Sequence, residues 1–455
     1  MSEKDVTRDG YGRRINYLRL SVTDRCNLRC RYCMPEGGVP MLRHQDILSF
    51  EELREVVDAA ASLGVTKVRL TGGEPLVRRG IVDLVRMLAG VPGVREVAMT
   101  TNGTLLSPLA ADLRAAGLSR VNLSLDTLDP ARYARITRGG RLEDALAGLH
   151  AALDAGFSGD KGGAGEGGAG KGGAGKFTPG EGTPGVKVNC VLVGGFNDDE
   201  VARVAGLARD LPIDVRFIEL MPLGPSANWP QARFVPAERV LEAVPDAVPV
   251  GASAAIPLSG ATVPDRDIPD AYGGLSGATV PDRETPDAYG GLSGATVPER
   301  DDPDAYRGLS GATVPDRETP DAYGGLSGME VPDRETPDAY RGLSVPDVPR
   351  AVPPPDPGVA ELYQVPGWAG RIGLIRPMGH RFCSQCNRIR VTSDGMLKPC
   401  LHSAAEIPLR GLHGEALVDA IRRGIEAKPE GHHMDASDSS REGSQSARGM
   451  NEIGG

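Results

Sequence analysis

The sequence predicts an α/β fold in which parallel β-strands alternate with α-helices. Six apolar segments typical of strands lie between residues 17 and 220, and helical segments separate them. This alternation implies parallel strands joined by right-handed crossovers. Six such units favour an incomplete barrel, and a doubly wound open sheet is the competing arrangement.

Each predicted strand is a run of six to eight residues rich in Val, Leu and Ile. Short apolar runs bounded by polar residues or glycine are typical of buried strands. The six runs are YLRLSV (17–22), VTKVRL (65–70), VREVAM (94–99), VNLSLD (121–126), VKVNCVLV (186–193) and DVRFIEL (214–220).

Helix boundaries are predicted by capping residues and glycines. Ser49 followed by Glu52 forms a capping box, and apolar residues keep helical spacing from there until Gly64. Ser107 is the predicted N-cap of a later helix that Gly117 ends. Three further helical segments are predicted at 80–90, 141–155 and 198–210.

Two segments interrupt this pattern and are predicted to be disordered insertions. Residues 158–185 are rich in glycine and cannot form a core. Residues 252–357 repeat a 17-residue unit, GLSGATVPDRETPDAYG. A regular repeat can indicate a solenoid, but each unit offers only a Val, a Leu and a Tyr to bury, so disorder is the better interpretation. The predicted domains are therefore a barrel over 1–251, the repeat insertion, and a C-terminal region over 358–455.

The negative charge of the chain is concentrated in the repeat. The 455 residues carry a net charge of −10, whereas residues 252–357 hold 19 acidic and 8 basic residues, a balance of −11. The rest sums to +1, so the overall acidity indicates nothing about its partners. The N-terminus has no apolar signal segment, and no run is long enough to span a membrane. We therefore expect a cytoplasmic protein.

Three of the seven cysteines follow the first predicted strand. Cys26, Cys30 and Cys33 form a C-x3-C-x2-C run. Three thiolates this close can hold three irons of a cubane cluster and leave the fourth iron without a protein ligand. A structural zinc site with a distant fourth ligand is the alternative, although this spacing is unusual for zinc.

Three more cysteines lie near the C-terminus. Cys383, Cys386 and Cys400 form a second triad, with His380 and His402 nearby. Spacing alone leaves open a Cys3His zinc site or a second cluster. The remaining cysteine, Cys190, matches no ligand pattern, and we interpret it as a small buried hydrophobic residue.

Five cations alternate with apolar residues along the predicted strands: Arg19, Lys67, Arg69, Lys187 and Arg216. Period-two alternation places such residues on one face of each strand. A solvated sheet face is the alternative, but helices normally cover the outside of parallel strands. The cations should then face the barrel interior. Because buried unpaired charge is costly, a polyanion such as a triphosphate is the natural partner.

Two motifs together resemble the radical S-adenosylmethionine superfamily. The first is CNLRCRYC at 26–33, and the second is TGGEP at 71–75, directly after the second predicted strand. The resemblance implies an incomplete (βα)6 barrel of the TIM type. It also implies a [4Fe-4S] cluster on the first triad whose open iron binds S-adenosylmethionine.

Longer stretches resemble the GTP 3',8-cyclase family of molybdenum cofactor biosynthesis. They are YLRLSVTDRCNLRCRYCMP, RLTGGEPLVRR, FCSQCNRIRVTSDGMLKPCL and the terminal Gly454-Gly455. The resemblance implies that a 5'-deoxyadenosyl radical removes the hydrogen at C3' of GTP, after which C3' bonds to C8 of guanine. It also implies a second [4Fe-4S] cluster on Cys383, Cys386 and Cys400 that faces the purine, and a Gly-Gly tail that reaches the active site.

The same resemblance assigns ligand contacts and partners. The implied S-adenosylmethionine contacts are Tyr32, Gly73, Ser124 and Met221. The implied GTP contacts are Arg19, Arg69, Thr100, Lys187, Arg388, Ile389 and Arg390. The expected protein partners are a low-potential electron donor of the flavodoxin or ferredoxin type and cyclic pyranopterin monophosphate synthase, which would receive the product. We expect neither nucleic acid nor membrane binding, and a monomer or homodimer.

Two alternative functions remain at this point. One is a peptide-modifying radical enzyme with auxiliary clusters, although such enzymes usually carry more C-terminal cysteines. The other is a non-catalytic zinc scaffold whose acidic repeat recruits partners. Metal analysis separates them, because two clusters give about eight irons per chain, one cluster gives about four, and the scaffold gives zinc.

Overall fold

The computed structural model describes residues 8–157, 184–250, 359–378, 382–431 and 448–453. These residues belong to one compact unit formed by Met1–Ser253 and Ser344–Gly455. The other unit, Ala254–Leu343, lies outside the described residues. Both predicted insertions also lie outside them, apart from Pro184 and Gly185, so the disorder of the insertions and the domain division stay predictions.

One sheet of twelve strands organises the described residues. Its strands are β1 (Tyr17–Ser21), β2 (Lys67–Thr71), β3 (Glu96–Thr101), β4 (Arg120–Ser124), β5 (Val186–Leu192), β6 (Asp214–Glu219), β7 (Val248–Pro249), β8 (Glu361–Gln364), β9 (Arg371–Ile375), β10 (Arg388–Val391), β11 (Met396–Lys398) and β12 (Ile407–Pro408). Their order is β12-β11-β10-β1-β2-β3-β4-β5-β6-β9-β8-β7. The eight central strands pair in parallel, and the two outer strands on each side are antiparallel.

The strand order confirms the incomplete barrel. Strands β1 to β6 follow one another in chain order, whereas a doubly wound sheet reverses its order at a switch point. The count of six parallel strands was too low, because β10 adds beside β1 and β9 adds beside β6. Within 359–378 and 382–413, the described residues around them, no α-helix alternates with RIGLI (371–375) or RIRV (388–391), so the pattern that predicted the first six strands was missing there.

Ten helices accompany the strands in the described residues. They are α1 (Phe50–Ser62), α2 (Ile81–Ala89), α3 (Ala110–Ala115), α4 (Pro130–Thr137), α5 (Leu142–Asp154), α6 (Val201–Ala205), α7 (Leu207–Asp210), α8 (Arg239–Ala243), α9 (Gly414–Glu426) and α10 (Met450–Ile453). The predicted capping box is confirmed at α1. Glu52 N donates to Ser49 Oγ at 3.1 Å, and Ser49 N donates to the Glu52 carboxylate at 2.7 Å.

Two predicted helix boundaries were wrong. Ser107 does not cap α3, because residues 104–109 form turns with bonds between residues three apart, and the helix begins at Ala110. The segment predicted as one helix at 198–210 is divided at Gly206 into α6 and α7. Both differences concern helix ends, where local turns compete with helical hydrogen bonding.

Helix α4 was not predicted, although a short signal marks its start. The Asp129 side chain accepts from Arg132 N at 2.8 Å, and Pro130 occupies the first turn. A capping aspartate followed by proline is a typical helix start. At eight residues, α4 is too short to show a clear apolar period, so the start signal alone did not predict a helix.

The hydrophobic core lies between the helices and the outer face of the sheet. Leu18 and Leu20 of β1 are 1% and 0% exposed and belong to this core, whereas Arg19 between them faces the opposite side. In the described residues, no helix combines the length and apolar character that crossing a membrane would need.

Candidate functional site

The inner face of the sheet surrounds a cavity of about 530 Å³. Residues from all eight parallel strands line it, so the sheet must curve around this space. A cavity of this size is typical of small-molecule sites. Both cysteine triads contribute to its walls.

All but one of the predicted site residues line this cavity. They are the six triad cysteines with Tyr32, Gly73, Ser124, Met221, Arg19, Arg69, Thr100, Lys187, Arg388 and Arg390. The exception is Ile389, which is 1% exposed and belongs to the hydrophobic core. A role for Ile389 in ligand binding would have to involve its main chain. Cys190 is buried in the core, as predicted.

The two triads lie at opposite ends of the strands. The first triad follows the carboxyl end of β1, whereas Cys383 and Cys386 directly precede β10. Because β1 and β10 are parallel, with Tyr17 opposite Arg388, these two positions are at opposite ends of the sheet. The rise along β1 from Tyr17 to Ser21 is about 13 Å. The inward cations lie between the two triads.

The glycine pair of TGGEP packs directly against the loop that carries the first triad. Gly72 has a φ of 140°, and a Cβ at this position would lie 2.3 Å from Thr23 O. A Cβ on Gly73 would lie 2.2 Å from Arg25 O, one residue before Cys26. The two glycines therefore let the main chain of this turn approach the main chain of the triad loop closely.

We expect Gly73→Ala to lower both the stability and the iron content of the protein. The added methyl group would push the Arg25 main chain, which cannot move without shifting Cys26. Overpacking of this kind costs about 1–3 kcal/mol. Melting temperature and iron per chain are the measurements, and Gly37→Ala is the control because nothing lies within 4 Å of its Cβ position. Normal iron content in Gly73→Ala would contradict the expected displacement of the loop.

The thiols of the first triad are buried and hard to ionise. Burial raises the pKa of Cys33 to about 12, with the charges of Cys26 and Asp126 adding to the effect. Burial also raises the pKa of Cys30 well above its usual value, and that of Cys26 to a smaller degree. Cysteine binds metal as the thiolate. A metal centre bound between these thiols would supply the positive charge that stabilises their ionised form.

Two carboxyl groups line the same end of the cavity. Burial raises the pKa of Glu74 to about 7 and that of Asp126 to about 6. The Tyr32 hydroxyl donates to Asp126 Oδ2 at 2.7 Å, and the Thr101 hydroxyl donates to Glu74 Oε1 at 2.7 Å. A cationic ligand would stabilise the ionised form of both groups, so this end of the cavity is suited to one.

The second triad has the opposite electrostatic setting. Burial raises the pKa of Cys386, but the charges of Lys428 and Arg388 outweigh burial and lower it overall. Lys428 Nζ donates to Arg388 O at 2.8 Å and to Pro399 O at 3.1 Å, so it links the two segments that carry the triad.

A second cation supports this triad from the other end of the chain. Arg13 Nη1 donates to Cys383 O at 2.7 Å, and the Arg13 guanidinium pairs with Asp9 at 2.5 Å. Sequence reasoning missed both Lys428 and Arg13, because no local pattern marks either residue as a neighbour of the triad.

Each triad offers three cysteine thiols as metal ligands. In the described residues, no three His, Cys, Asp or Glu side chains are grouped so that they could hold one metal ion. In a cubane, each cysteine binds its own iron, so the three thiols need not converge on one point. His402 lines the cavity near Cys400, whereas His380, the other candidate zinc ligand, lies outside the described residues.

The cations between the triads repel one another. Arg390, Arg19 and Arg69 are in register on neighbouring strands. Burial and the charge of Arg390 hold the pKa of Arg19 well below its ordinary value. Burial and Arg388 lower the pKa of Arg390 to about 10. A ligand with several negative charges would relieve this repulsion.

Further observations on the same wall indicate an anionic ligand. Burial, with Arg216 nearby, lowers the pKa of Lys187 well below its usual value. Burial raises the pKa of Tyr17, but Arg69 and other cations outweigh burial and lower it overall. Among the described residues, Arg216 and Arg388 each keep a buried Nε atom without a hydrogen-bond partner. Such groups are costly unless a ligand or water meets them.

One buried carboxylate, Asp214, forms ion pairs with cations of this cavity wall. It is 0% exposed, and its oxygens lie 2.9 Å from Arg371, 3.3 Å from Arg216 and 3.7 Å from Lys187. Burial raises its pKa, but these three cations, Arg216 foremost, outweigh burial and lower it. Asp214 thus partly balances the buried positive charge of this wall.

We expect Asp214→Asn to destabilise the fold by about 3 kcal/mol, since removing one partner of a buried ion pair leaves the others uncompensated. Because the folded pKa of Asp214 is depressed, its contribution is fully present above about pH 4 and decreases as the pH falls further. Urea unfolding between pH 3 and pH 7 measures both effects. The exposed pair of Asp83 and Arg86 gives a control, Asp83→Asn, with a change below about 0.5 kcal/mol. Equal effects of the two substitutions would contradict this role.

The last described segment is anchored beside the cavity. Arg448 pairs with Asp394 and Glu406, each at 2.8 Å. Two residues later, Met450 lines the cavity, and Ile453 is 2% exposed. The terminal Gly454 and Gly455 lie outside the described residues, so the predicted reach of the tail into the site stays a prediction.

Two family models match this chain. The Radical SAM superfamily matches residues 20–164, which include the first triad and the glycine pair. Molybdenum Cofactor Synthesis C matches residues 348–434, which include the second triad.

Two GTP 3',8-cyclases match the chain over nearly its whole length, and one solved structure matches about half of it. The GTP 3',8-cyclase of Peptoclostridium acidaminophilum is 37% identical over 458 residues and covers 100% of both chains. That of Alkaliphilus metalliredigens is 35% identical over 451 residues, covering 98% of this chain and 100% of the relative. The crystal structure of Streptococcus suis SuiB bound to S-adenosylmethionine has a TM-score of 0.35 and 15% identity, over 51% of this chain and 44% of that one.

Proposed function

The chain belongs to the GTP 3',8-cyclase family, and from this membership we propose how its cavity performs the reaction. The enzyme converts GTP to (8S)-3',8-cyclo-7,8-dihydroguanosine 5'-triphosphate, the first step of molybdenum cofactor biosynthesis. It is a radical enzyme whose superfamily implies a [4Fe-4S] cluster and S-adenosylmethionine. The observation that carries the proposal is a single cavity with a cysteine triad at each end and cations between them.

The first end of the cavity binds S-adenosylmethionine in this proposal. Cys26, Cys30 and Cys33 would hold a [4Fe-4S] cluster, which when bound would supply the electron that cleaves S-adenosylmethionine into methionine and a 5'-deoxyadenosyl radical. The carboxyl groups of Glu74 and Asp126 suit the positive charges of the sulfonium and amino groups.

Four further residues position the same cofactor. We assign these contacts to Tyr32, Gly73, Ser124 and Met221, which all line the cavity. Ser124 is the last residue of β4, and the other three follow the carboxyl ends of β1, β2 and β6. Gly73 acts through its main chain, because a side chain there would collide with the triad loop. The protein thus orients the cofactor and excludes water, while the cofactor supplies the reactivity.

GTP lies between the two triads in this proposal. Its triphosphate meets the cations of the cavity wall, which repel one another until an anion binds. These contacts come from Arg19, Arg69, Lys187, Arg388 and Arg390, with Thr100 beside Arg69 and Arg216 beside Lys187. Anchoring the phosphates on the cations fixes the ribose, so that C3' can face the first end of the cavity.

The second triad holds another [4Fe-4S] cluster in this proposal and faces the purine. The donor set fits, because three cavity-lining thiols lie beside Lys428 and Arg388, which favour the thiolate form of Cys386. Ile389 contributes through its main chain, since its side chain is in the core. The reaction also requires an electron donor of the flavodoxin or ferredoxin type, and cyclic pyranopterin monophosphate synthase consumes the product.

Anaerobic incubation with GTP, S-adenosylmethionine and dithionite tests the proposal. We expect a nucleotide with the mass of GTP but a different retention time, because the cyclisation is an isomerisation. With GTP deuterated at C3', the deuterium should be recovered in 5'-deoxyadenosine. The purified protein should contain about eight irons per chain. Cleavage of S-adenosylmethionine without any change in GTP would overturn the substrate assignment, and zinc without iron would overturn both clusters.

A further inference from the structure

We propose that a basic surface formed by residues 25–35 and 130–141 docks an acidic one-electron carrier protein. The proposal rests on the function proposed above, because it identifies where the required electrons enter. The carrier loses one electron, and the cluster on the first triad gains it, with no group transferred. We call this surface the arginine surface.

The two segments are unusually rich in one kind of charge. Together they contain seven arginines and no aspartate or glutamate. The arginines are Arg25, Arg29, Arg31, Arg132, Arg135, Arg138 and Arg141. The residues outside the 252–357 repeat carry a net charge of only +1, so this concentration of positive charge is local.

Hydrogen bonds join the two segments into one surface. Arg29 N donates to Thr137 O and Arg31 N donates to Ile136 O, each at 3.0 Å. Arg31 Nε donates to Arg135 O at 3.1 Å. The end of α4 is therefore fixed on the loop that carries the first triad.

Three arginines of this surface keep their charge available. Two others pair with carboxylates, Arg132 with Asp199 and Arg141 with Glu143. Arg25, Arg31 and Arg135 are exposed, and within the described ranges none of these three forms an ion pair. Exposed arginines on the helices differ, because several have an acidic neighbour three or four residues away. Examples are Arg54 with Asp58, Arg86 with Asp83 and Arg422 with Asp419.

The position of the surface favours an electron carrier as its partner. Arg29 and Arg31 flank Cys30 in the sequence, so the surface lies on the triad loop itself. The inner side of this loop lines the substrate cavity, which leaves the exposed side for electron entry. Redox partners form small, transient interfaces that depend on complementary charge. An acidic carrier would therefore approach the arginine surface and reach the triad over a short path.

Charge reversal tests this surface. The double variant Arg31→Glu/Arg135→Glu reverses two exposed charges that have no carboxylate partner in the described residues, although the Arg135 guanidinium lies over the Phe196 ring at 5.4 Å. Arg86→Glu/Arg422→Glu makes the same change in net charge on α2 and α9. Arg135→Glu alone is included because Arg31 lies inside the cysteine motif. The probe is a purified flavodoxin of strongly negative net charge. Calorimetry with the oxidised flavodoxin gives Kd, and stopped-flow absorbance gives the rate of cluster reduction by the reduced flavodoxin.

We expect Kd to rise at least tenfold in the double variant and at least threefold in Arg135→Glu, with a matching fall in reduction rate. In Arg135→Glu, iron content and product formation with dithionite should stay at the wild-type level, because dithionite needs no docking site and Arg135 lies outside the cysteine motif. The helix control should bind flavodoxin as the wild type does.

Three results of the flavodoxin measurements would overturn the proposal. They are unchanged flavodoxin affinity in both surface variants, an equal loss in the helix control, and no binding to the wild type at low salt. Displacement of flavodoxin by a short RNA duplex at comparable concentration would indicate a nucleic-acid surface instead and would also overturn it. Absence of cyclised product even with dithionite would count against the proposed function and not against this surface.

Discussion

Replacing Cys30 with alanine is expected to abolish S-adenosylmethionine cleavage and to reduce iron from about eight to about four per chain. Cys30 is the central member of the first triad, and its thiol lines the cavity beside those of Cys26 and Cys33. Two thiolates cannot retain the cluster. The remaining thiols have pKa values raised by burial, so without a metal they stay protonated. Formation of 5'-deoxyadenosine under anaerobic conditions is the measurement.

The chain provides a matched control for this substitution. Cys190→Ala also removes one buried thiol, but Cys190 lies in the core and outside the cavity. We expect wild-type iron content and cleavage in this control, apart from a modest loss of stability. Substantial 5'-deoxyadenosine from Cys30→Ala would falsify the assignment of the first triad.

Replacing Cys386 with alanine is expected to give a different outcome. Cleavage of S-adenosylmethionine in the absence of GTP should continue in part, whereas cyclised product should fall at least a hundredfold. The reason is the separation of the triads, which lie at opposite ends of parallel strands. Loss of the second triad leaves Cys26, Cys30 and Cys33 in place but removes the group that we propose orients the purine.

Iron analysis and nucleotide chromatography of the Cys386→Ala protein decide this prediction. About four irons per chain together with cleavage but no product would support it. Normal product would mean that the second site is structural or carries no metal. Loss of all iron would mean that the two sites assemble together, which would contradict the independence expected from their separation.

The sequence predicted those features that a local pattern encodes. Period-two alternation placed Arg19, Arg69 and Lys187 on the inner face of the barrel, and all three line the cavity. The capping box of Ser49 and Glu52 was also confirmed, because it depends on two residues only three positions apart.

The features that the sequence did not predict depend on distant partners. Arg371 meets Asp214 across 157 residues, and Arg13 meets Cys383 across 370. Neither pair can be predicted from the local sequence, because a buried arginine can bond to a carbonyl or carboxylate anywhere in the chain. Strands β9 and β10 were missed for a related reason. They join the sheet by pairing with β6 and β1, without a helix that would have revealed a further repeat of the barrel unit.

The pairing of β10 with β1 also determines when the protein can fold during synthesis. Asn387, just before β10, bonds to Asn16, just before β1, across 371 residues. At about 5–20 residues per second, a ribosome needs roughly 20–75 s to add that length. Throughout this interval, one edge of β1 has no neighbouring strand, and an uncovered edge is a site of aggregation. The nascent chain therefore carries this uncovered edge for most of its translation, and the second cysteine triad is complete only after Cys400 has been added.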